Sequence, residues 1–377
     1  MKKKKIETIA IHGSMKTRFL ENDTIVPGIE VSTIYEHRDG GYQEGDDKYI
    51  RLSNPNRDQL ENVIMELEEG DSCAAFSSGM AAISSVFQAV EPGAHVLVAN
   101  DVYFGTRKLM WEFADKWNLN VDFIDMTDLD QIELSLKENT KLLWLETPSN
   151  PRLLITDVKA VSKLAKEKGA LVAVDNTWPT PYNMRPLELG ADVSVHSTTK
   201  YLGGHSDILG GAVITKENKK LFEKIRLIQR VQGAVPSPRD CWLLSRSIRS
   251  FPYRMRAHNE NARKVATFLS KHPKVQVIYY PGLESHPAHK IAKAQMDDFG
   301  GMISFLIEGG SKEAVNIVSR SKMIKAATSL GGIESIWEHR KSSEGNESPT
   351  PDNLIRLSVG LEHPDDIIED LEQALGG

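Results

Sequence analysis

The chain has 377 residues, of which 40% are hydrophobic and 26% are charged, and its formal net charge at pH 7 is −6. This length exceeds the roughly 250–300 residues that one hydrophobic core usually supports, so we predict two domains. The composition and small negative charge are typical of a soluble cytoplasmic protein and give no sign of a nucleic-acid surface. No apolar run approaches the roughly 20 residues of a membrane helix.

The first 50 residues lack a sustained hydrophobic period, so we predict an N-terminal arm. The run MKKKK and the following IETIAIHGS are too polar and too short for a signal peptide, and we interpret them as a solvated tail. Turn-forming residues are concentrated in HRDGGYQEGDD. After the arm, apolar residues from Leu60 to Leu67 have helical spacing and Gly70 ends the pattern, which predicts a helix.

Short apolar runs then alternate with helical patterns. The predicted strands are AHVLVAN, VDFIDM, KLLWLET, ALVAVDNTW and DVSVHS. The predicted helices between them are MAAISSVFQAV, RKLMWEFADKW and VKAVSKLAKEKG. This alternation predicts an α/β fold with a mostly parallel sheet that is covered by helices on both faces.

The pattern changes near residue 236. A long helical pattern runs from Pro238 to about Ser270, and the strands VQVIYY, GMISFLIEG and NLIRLSVG follow among helices. We therefore predict an arm at 1–50, a large cofactor-binding domain at 51–235 and a smaller α+β domain at 236–377. The polar stretch EHRKSSEGNESPTPDN, which includes residues 338–351, is predicted to be an exposed loop of undefined role.

Cysteines and histidines indicate neither a disulfide framework nor a metal site. Cys73 and Cys241 are far apart in the sequence, which fits a reducing compartment and leaves the reactivity of both thiols open. His286 and His289 form a pair in SHPAHK, but no third ligand is nearby, so we interpret this segment as a polar loop.

Chemically unusual residues follow several predicted strands, at the ends where parallel sheets bind ligands. SSGMAA, from Ser77 to Ala82, opens a helix whose free N–H groups favour a phosphate, although a serine helix cap explains the same residues. Asp175 ends a very apolar strand, so it is either a cap or ion-pair partner, or an acid that protonates a heterocyclic nitrogen. Asn150 follows another strand and can donate to a hydroxyl or phenolate on the same ligand.

The stretch VHSTTKYLGG places Lys200 after a buried strand. An arbitrary lysine is usually on the surface, but Ser197 and Thr199 can reach a phosphate here, and the glycines let the backbone approach closely. A partly desolvated lysine beside another cation becomes nucleophilic. Together with Asp175 as the acid and Tyr103 as a stacking ring, this set predicts pyridoxal 5′-phosphate as the cofactor. A doubly wound nucleotide-binding protein is the rival, but the chain has neither G-x-G-x-x-G nor a P-loop.

The chain resembles the Cys/Met metabolism family of pyridoxal-phosphate enzymes, the trans-sulfuration group that includes cystathionine γ-synthases and γ-lyases. The matching segments are YIRLSNPNRDQLE, SSGMAAI, ETPSNP, VDNTWPTP, GADVSVHSTTKYLGGHSD, YYPGLESHPAH, FGGMISF, SLGGIES and IRLSVGLE. The resemblance implies an aspartate-aminotransferase-like fold of type I and γ-elimination or γ-replacement on sulfur amino acids or activated homoserine. The alternatives are a cystathionine β-lyase or methionine γ-lyase and, from a different class, a non-catalytic regulator that binds pyridoxal phosphate.

The resemblance also implies roles for individual residues. Catalysis is assigned to Lys200, as the Schiff-base lysine and proton shuttle, and to Tyr103, which stacks on the cofactor ring. Cofactor contacts are expected from Ser77, Gly79, Met80, Tyr103, Asn150, Asp175, Thr177, Ser197, Thr199 and Lys200, and from Tyr49 and Arg51 reaching into a neighbouring subunit. Substrate contacts are expected from Arg356, Ser329, Asn150, Lys48, Thr328 and Arg107. The family implies a homotetramer made of two dimers.

Some positions depart from the family pattern. Lys48 and Thr328 stand where members that handle cystathionine usually have acidic residues facing the distal amino group. YFGTRK replaces the common Tyr-Gly-Gly-Thr and is expected to put Arg107 near the ring edge. We expect His339 and Arg340 to be exposed, with contact to a distal carboxylate as the alternative. These departures favour a substrate with an anionic or neutral γ substituent, such as an acylated or phosphorylated homoserine.

Overall fold

The computed structural model describes residues 4–13, 25–36, 41, 47–345 and 347–376. Much of the predicted arm, including the first residues of MKKKK and most of HRDGGYQEGDD, lies outside the described residues. Within the described part, no helix has the length and apolar character needed to cross a membrane.

The first half of the described chain forms a seven-stranded sheet with the order β1-β7-β6-β5-β4-β2-β3. Its strands are β1 (Ser72–Phe76), β2 (His95–Ala99), β3 (Asn120–Ile124), β4 (Thr140–Glu146), β5 (Leu171–Asp175), β6 (Val193–His196) and β7 (Gly211–Thr215). Only β7 runs against its neighbours in this sheet. The five predicted strands are β2 to β6, whereas β1 and β7 were not predicted because SCAAF and GAVIT are short runs rich in small residues.

Helices cover this sheet on both faces. The helices of this part of the chain are α1 (Ile6–His12), α2 (Pro55–Glu68), α3 (Gly79–Gln88), α4 (Phe104–Phe113), α5 (Leu129–Ser135), α6 (Val158–Glu167), α7 (Thr180–Asn183) and α8 (Lys219–Gln232). Several of these helices begin with a side-chain cap. The side chain of Asn54 accepts from two backbone N–H groups of α2, and that of Asp157 accepts from one backbone N–H group of α6.

The remaining chain forms a five-stranded sheet with the order β10-β11-β12-β9-β8. Its elements are α9 (Pro238–Ile248), α10 (Phe251–Leu269), β8 (Val275–Tyr279), α11 (His289–Gln295), β9 (Met302–Ile307), α12 (Ser311–Arg320), β10 (Lys325–Ala326), β11 (Ile336–His339), α13 (Arg340–Glu344), β12 (Leu354–Ser358) and α14 (Pro364–Gly376). The long helical pattern predicted after residue 236 is two helices, because α9 ends at Ile248 and α10 begins at Phe251. The three predicted strands of this region are β8, β9 and β12.

Buried apolar side chains form three clusters. One lies around the large sheet and includes Phe87 and Trp144, whose ring centroids are 4.8 Å apart. A second lies around the small sheet and includes Phe305 and Trp337. The third joins α2 to α9 and α10, so it crosses the predicted boundary at 235/236, and the domain division remains a prediction.

Two segments differ from the sequence-based expectation. The predicted solvated tail contains α1, in which Ile9 and Ala10 are buried because one apolar face of this helix packs beside α2 and α10. The predicted exposed loop contains the end of β11 and all of α13, and its residues Glu338, His339 and Arg340 are buried. Hydrogen bonds satisfy the polar side-chain atoms of these three residues except Arg340 Nη2, which makes burial possible.

Candidate active site

A cavity lies at the carboxyl ends of β1, β2, β4, β5 and β6, where parallel strands direct their following loops to one edge. Most of the predicted site residues line it. These are Gly79, Met80, Tyr103, Asn150, Asp175, Thr177, Ser197, Thr199, Lys200, Thr328, Ser329 and Arg356. The remaining ones, Ser77, Lys48, Tyr49, Arg51 and Arg107, are not part of this lining.

One end of the cavity is an anion cradle at the start of α3. Gly79 and Met80 are the first residues of this helix, so their N–H groups have no acceptor within it. Ser78 is the helix cap and accepts from the N–H of Ala81, whereas the N–H of Ser77 donates to the carbonyl of Ala234. A Cβ on Gly79 would lie 2.7 Å from the Cβ of Ser197, so only glycine lets the two loops approach this closely.

The loops after β5 and β6 hold each other through Thr177. Its Oγ1 donates to Asp175 Oδ1 at 2.5 Å and accepts from the N–H of Ser197 at 2.9 Å. Thr199 Oγ1 in turn accepts from the N–H of Gly210 at 3.0 Å. The loop after β6 is therefore hydrogen-bonded both to the loop after β5 and to Gly210, which precedes β7.

Asp175 is the last residue of β5 and is buried. Burial raises the pKa of its carboxyl, while the hydrogen bonds from Thr177 and the nearby His196 and Lys200 act in the opposite direction. Both bonds from Thr177 reach Oδ1, and Oδ2 has no hydrogen-bond partner among the described residues. A cationic N–H in the cavity would give Oδ2 a partner and favour the ionised carboxylate.

Lys200 lies opposite, in the loop after β6. Its Nζ donates to Ser329 Oγ at 2.6 Å, and Ser329 has a left-handed backbone with φ +97°. Burial, followed by the positive charges of Arg356 and Arg340, lowers the pKa of Lys200 from 10.5 to about 8. A substantial fraction of the amine is therefore neutral near physiological pH, as a nucleophile and base requires.

Arg356 enters the cavity from β12 of the small sheet and is buried. It donates to Asn150 Oδ1 at 3.0 Å, to the carbonyl of Ser329 at 3.1 Å and to Glu338 Oε1 at 2.5 Å. The register of β11 and β12 places Glu338 directly opposite Arg356. Burial is the largest cause that lowers the pKa of Arg356, which falls to about 10.

The cavity lining also contains residues that the sequence analysis did not assign to the site, among them Glu146 and Trp178. Arg340, which was expected to be exposed, lines the cavity as well. Glu146 ends β4 as Asp175 ends β5, so the same signal was present for it. Its Oε2 accepts from the N–H of Tyr103 at 2.7 Å, and burial raises the pKa of this carboxyl well above its usual range. Glu146 thereby positions the start of α4, where Tyr103 lies.

Besides Ser77, four predicted residues are absent from the lining of this chain's cavity. Arg107 donates to the carbonyl of Asn100, and its guanidinium lies 4.7 Å from the ring centroid of Phe123. Arg107 is therefore not at the position near the edge of the cofactor ring that the sequence predicts. Lys48 and Tyr49 are exposed. Arg51 lies over the ring of Tyr49 and donates to the carbonyl of Arg230 at 2.5 Å.

The cavity fits pyridoxal phosphate. The N–H groups of Gly79 and Met80, with the hydroxyls of Ser197 and Thr199, suit the phosphate. Asp175 Oδ2 suits a protonated ring nitrogen, Tyr103 suits stacking, and Lys200 offers the amine. These groups differ in chemistry, and each suits a different part of pyridoxal phosphate.

Changing Gly79 to alanine should weaken cofactor binding, because the new Cβ would push the loop of Ser197 away from the cradle. Overpacking of this kind costs about 1–3 kcal/mol, or roughly a 5- to 150-fold rise in the Kd of pyridoxal phosphate. Titration of the cofactor-free protein, followed by absorbance, measures this Kd. Gly310→Ala is the matched control, since a Cβ there meets nothing within 4 Å. An unchanged Kd for Gly79→Ala would show that the cradle does not hold the phosphate.

In the cofactor-free protein, the ammonium of Lys200 should reduce stability. Because folding lowers its pKa from 10.5 to about 8, the penalty is complete below pH 8 and is lost as the pH rises through 10.5. The size of the shift corresponds to about 3 kcal/mol. Lys200→Met should therefore raise the denaturant midpoint at pH 7, and the gain should vanish near pH 10.5.

The exposed Lys219 provides the control for this measurement, since Lys219→Met should change the midpoint at neither pH. A gain for Lys200→Met of the same size at both pH values would mean that packing, and not the buried charge, causes it.

Comparison with known proteins agrees with this geometry. Residues 7–376 match the model of the family described as Cys/Met metabolism PLP-dependent enzyme. The chain is 43% identical to cystathionine gamma-lyase of Bacillus subtilis, over 100% of this chain and 99% of the relative. It is 41% identical to cystathionine beta-lyase of Coxiella burnetii, over 99% and 98%. Further relatives with 42% and 43% identity are named cystathionine gamma-synthase and L-methionine gamma-lyase.

A solved structure gives the same result. The crystal structure of metB from Corynebacterium glutamicum superposes with a TM-score of 0.95 at 38% identity and covers 99% of this chain and 98% of that one. The expected fold of type I is therefore confirmed, with its mostly parallel central sheet. The chain belongs to the Cys/Met metabolism family of PLP-dependent enzymes, and it is a pyridoxal-phosphate-dependent trans-sulfuration enzyme.

Proposed function

We propose that this enzyme catalyses γ-elimination or γ-replacement on sulfur amino acids or activated homoserine, with Lys200 as the residue that moves the protons. The observation that carries the proposal is the position of Lys200 Nζ, which is held at 2.6 Å from Ser329 Oγ. The carbonyl of the same Ser329 accepts from Arg356. Ser329 thus contacts both Lys200, the proposed base, and Arg356, the proposed carboxylate-binding group.

The roles of the side chains follow from this arrangement. Pyridoxal phosphate supplies an electron sink for the negative charge that forms at the substrate Cα. Arg356, positioned by Asn150, holds the α-carboxylate through a charge-assisted hydrogen bond. Lys200 removes the proton from Cα, and Asp175 keeps the ring nitrogen protonated. Ser329 keeps the amine of Lys200 on the substrate side during these transfers.

γ-Chemistry adds one more task for Lys200, because a second proton must leave Cβ before the γ substituent departs. The unsaturated product then either takes up a thiol or hydrolyses to a 2-oxo acid and ammonia. β-Elimination needs only the first proton transfer, because the β substituent departs once the Cα proton has been removed. Lys200, Asp175 and Arg356 serve all three outcomes, so the part of the pocket that holds the end of the substrate side chain must select among them.

The alternative activities are β-elimination of cystathionine and γ-elimination of methionine, which the names of two relatives support. From a different class, a non-catalytic regulator would retain the cofactor without turnover, but it would have no need for the complete set of Lys200, Asp175 and Arg356 in the cavity. Incubating the holoenzyme with cystathionine, methionine, and O-acylhomoserine plus cysteine, followed by product identification, tests the proposal. Pyruvate with homocysteine from cystathionine would indicate a β-lyase, and the absence of product from every substrate would favour the regulator.

We also propose a cytoplasmic homotetramer built from two dimers. In support, neither Tyr49 nor Arg51 lines the cavity of its own chain, as expected of residues that serve a neighbouring subunit. Light scattering of the holoenzyme should give four times the chain mass of 42.0 kDa. A monomer that retains full activity would remove the proposed role of both residues.

A further inference from the structure

Arg340 is the first residue of α13 and has only 4% of its surface exposed. Its Nε donates to Glu344 Oε1 at 2.7 Å, and its Nη1 donates to Glu338 Oε1 at 2.9 Å. Glu344 Oε2 accepts in turn from the hydroxyls of Ser348 and Thr350. The segment therefore holds this guanidinium in one position, at a depth unusual for arginine.

The same guanidinium lines the cavity that contains Lys200 and Arg356. Two of its three nitrogens have acceptors, and Nη2 has no hydrogen-bond partner in the part of the chain that the structure describes. Nη2 is not among the fully buried polar atoms that lack a partner, so this N–H pair is accessible, and beside the cavity it can donate to a ligand group.

Arg340 and Arg356 are immediate neighbours, because both donate to the same oxygen, Glu338 Oε1. If Arg356 binds the α-carboxylate of the substrate, Arg340, which lies beside Arg356 in the cavity lining, is a second group that can bind an anionic part of the same substrate. This wall carries three cationic side chains, including Lys200, against the carboxylates of Glu338 and Glu344.

We propose that Arg340 is a specificity-determining residue that binds a carboxylate at the far end of the substrate side chain. The inference rests on the proposed function, since it assigns the α-carboxylate to Arg356. It narrows the substrate class to amino acids with a second, distal carboxylate, such as cystathionine or a succinylated homoserine. Methionine and acetylated homoserine lack this group.

The physical chemistry of the donor supports this class. A planar guanidinium matches a carboxylate in geometry and charge, whereas it repels an ammonium group. A neutral side chain such as that of methionine would fill the space and leave Nη2 without an acceptor. Sites built to hydrogen-bond a substrate group reject analogues that lack it, because their own polar groups are then left unpaired.

The test compares two amino acids that carry no leaving group on Cβ or Cγ, L-2-aminoadipate and L-norleucine. They have similar chain lengths, and only the first has a distal carboxylate. Calorimetry on the wild-type holoenzyme should give a Kd at least about tenfold lower for L-2-aminoadipate. In Arg340→Met the ratio of the two Kd values should fall to about one, through loss of affinity for L-2-aminoadipate alone.

Lys341→Met is the matched control, since it removes one positive charge from the same helix at a position that does not line the cavity. It should leave the ratio unchanged. Arg340→Gln, which retains N–H donors but no charge, replaces Arg340→Met if the latter fails to fold, and it should lower the ratio at least about fivefold.

A wild-type ratio near one, an unchanged ratio in the Arg340 variants, or an equal fall in Lys341→Met would overturn the inference. Equal loss of affinity for both probes in Arg340→Met would likewise show a structural role only. The ratio of the two Kd values does not depend on turnover, because neither amino acid carries a leaving group. If the substrate panel gave no trans-sulfuration product, the proposed function would fail while the ratio still reported on Arg340.

Discussion

Replacing Lys200 with alanine should lower kcat by about 10³-fold or more, the largest loss expected for any side chain of this enzyme. The substitution removes both the amine that takes up the cofactor and the base that moves the substrate protons. No other amine lines the cavity among the described residues, and the hydroxyl of Ser329 is too weak a base to replace it.

Proton exchange at Cα separates the role of the base from other causes of inactivity. In D₂O, the wild-type holoenzyme should exchange the Cα hydrogen of a bound amino acid, and Lys200→Ala should not, as followed by NMR. The exposed Lys219→Ala variant controls for the change in residue type. Exchange at the wild-type rate in Lys200→Ala would assign the proton transfer to another group.

Replacing Asp175 with asparagine should lower kcat by about 10²-fold or more while the protein remains folded. The amide oxygen can still accept the two hydrogen bonds that Thr177 makes to Oδ1. An amide in the place of Oδ2 has no charge with which to hold a proton on the ring nitrogen, so the ring withdraws electrons less strongly. The loss should therefore fall on kcat, with a smaller change in KM for a substrate held by Arg356.

The pH dependence of the bound cofactor's absorbance gives a readout other than rate, and it should differ between Asp175→Asn and the wild type. Asp192→Asn is the matched control. Asp192 is also partly buried and accepts from the N–H of Val172, but it precedes β6 and does not line the cavity. If both variants kept wild-type kcat and absorbance, the buried carboxylate of Asp175 would have no part in catalysis.

The two substitutions also differ in their effect on the cofactor-free protein. Removing the ammonium of Lys200 should increase stability at neutral pH, because the site holds this charge at a cost. Asp175→Asn should have the smaller effect, since its two hydrogen bonds persist. Such a trade of stability for reactivity is typical of an active site and is not expected of a structural ion pair.

Local sequence patterns predicted five of the seven strands of the large sheet and several residues of the cavity lining. Five strands alternate with helices, and parallel strands direct the residues that follow them to one edge. For that reason Asn150, Asp175 and Lys200 meet in one cavity although the sequence separates them. The resemblance added the assignment of Arg356, which no local pattern in its strand distinguishes from a structural arginine.

Tertiary structure alone decided that Arg340 lines the cavity. Residues 338–350 have the composition of an exposed loop, yet Arg340 and Glu338 are buried there because their charges pair with each other and with Arg356 and Glu344. The contact between Arg356 and Asn150 joins residues 206 positions apart. Propensity and periodicity report only on neighbours along the chain, so they cannot show that a polar segment finds its partners on another strand. Whether a charge is solvated or buried depends on those partners, and here they come from the pairing of β11 with β12 and from α13.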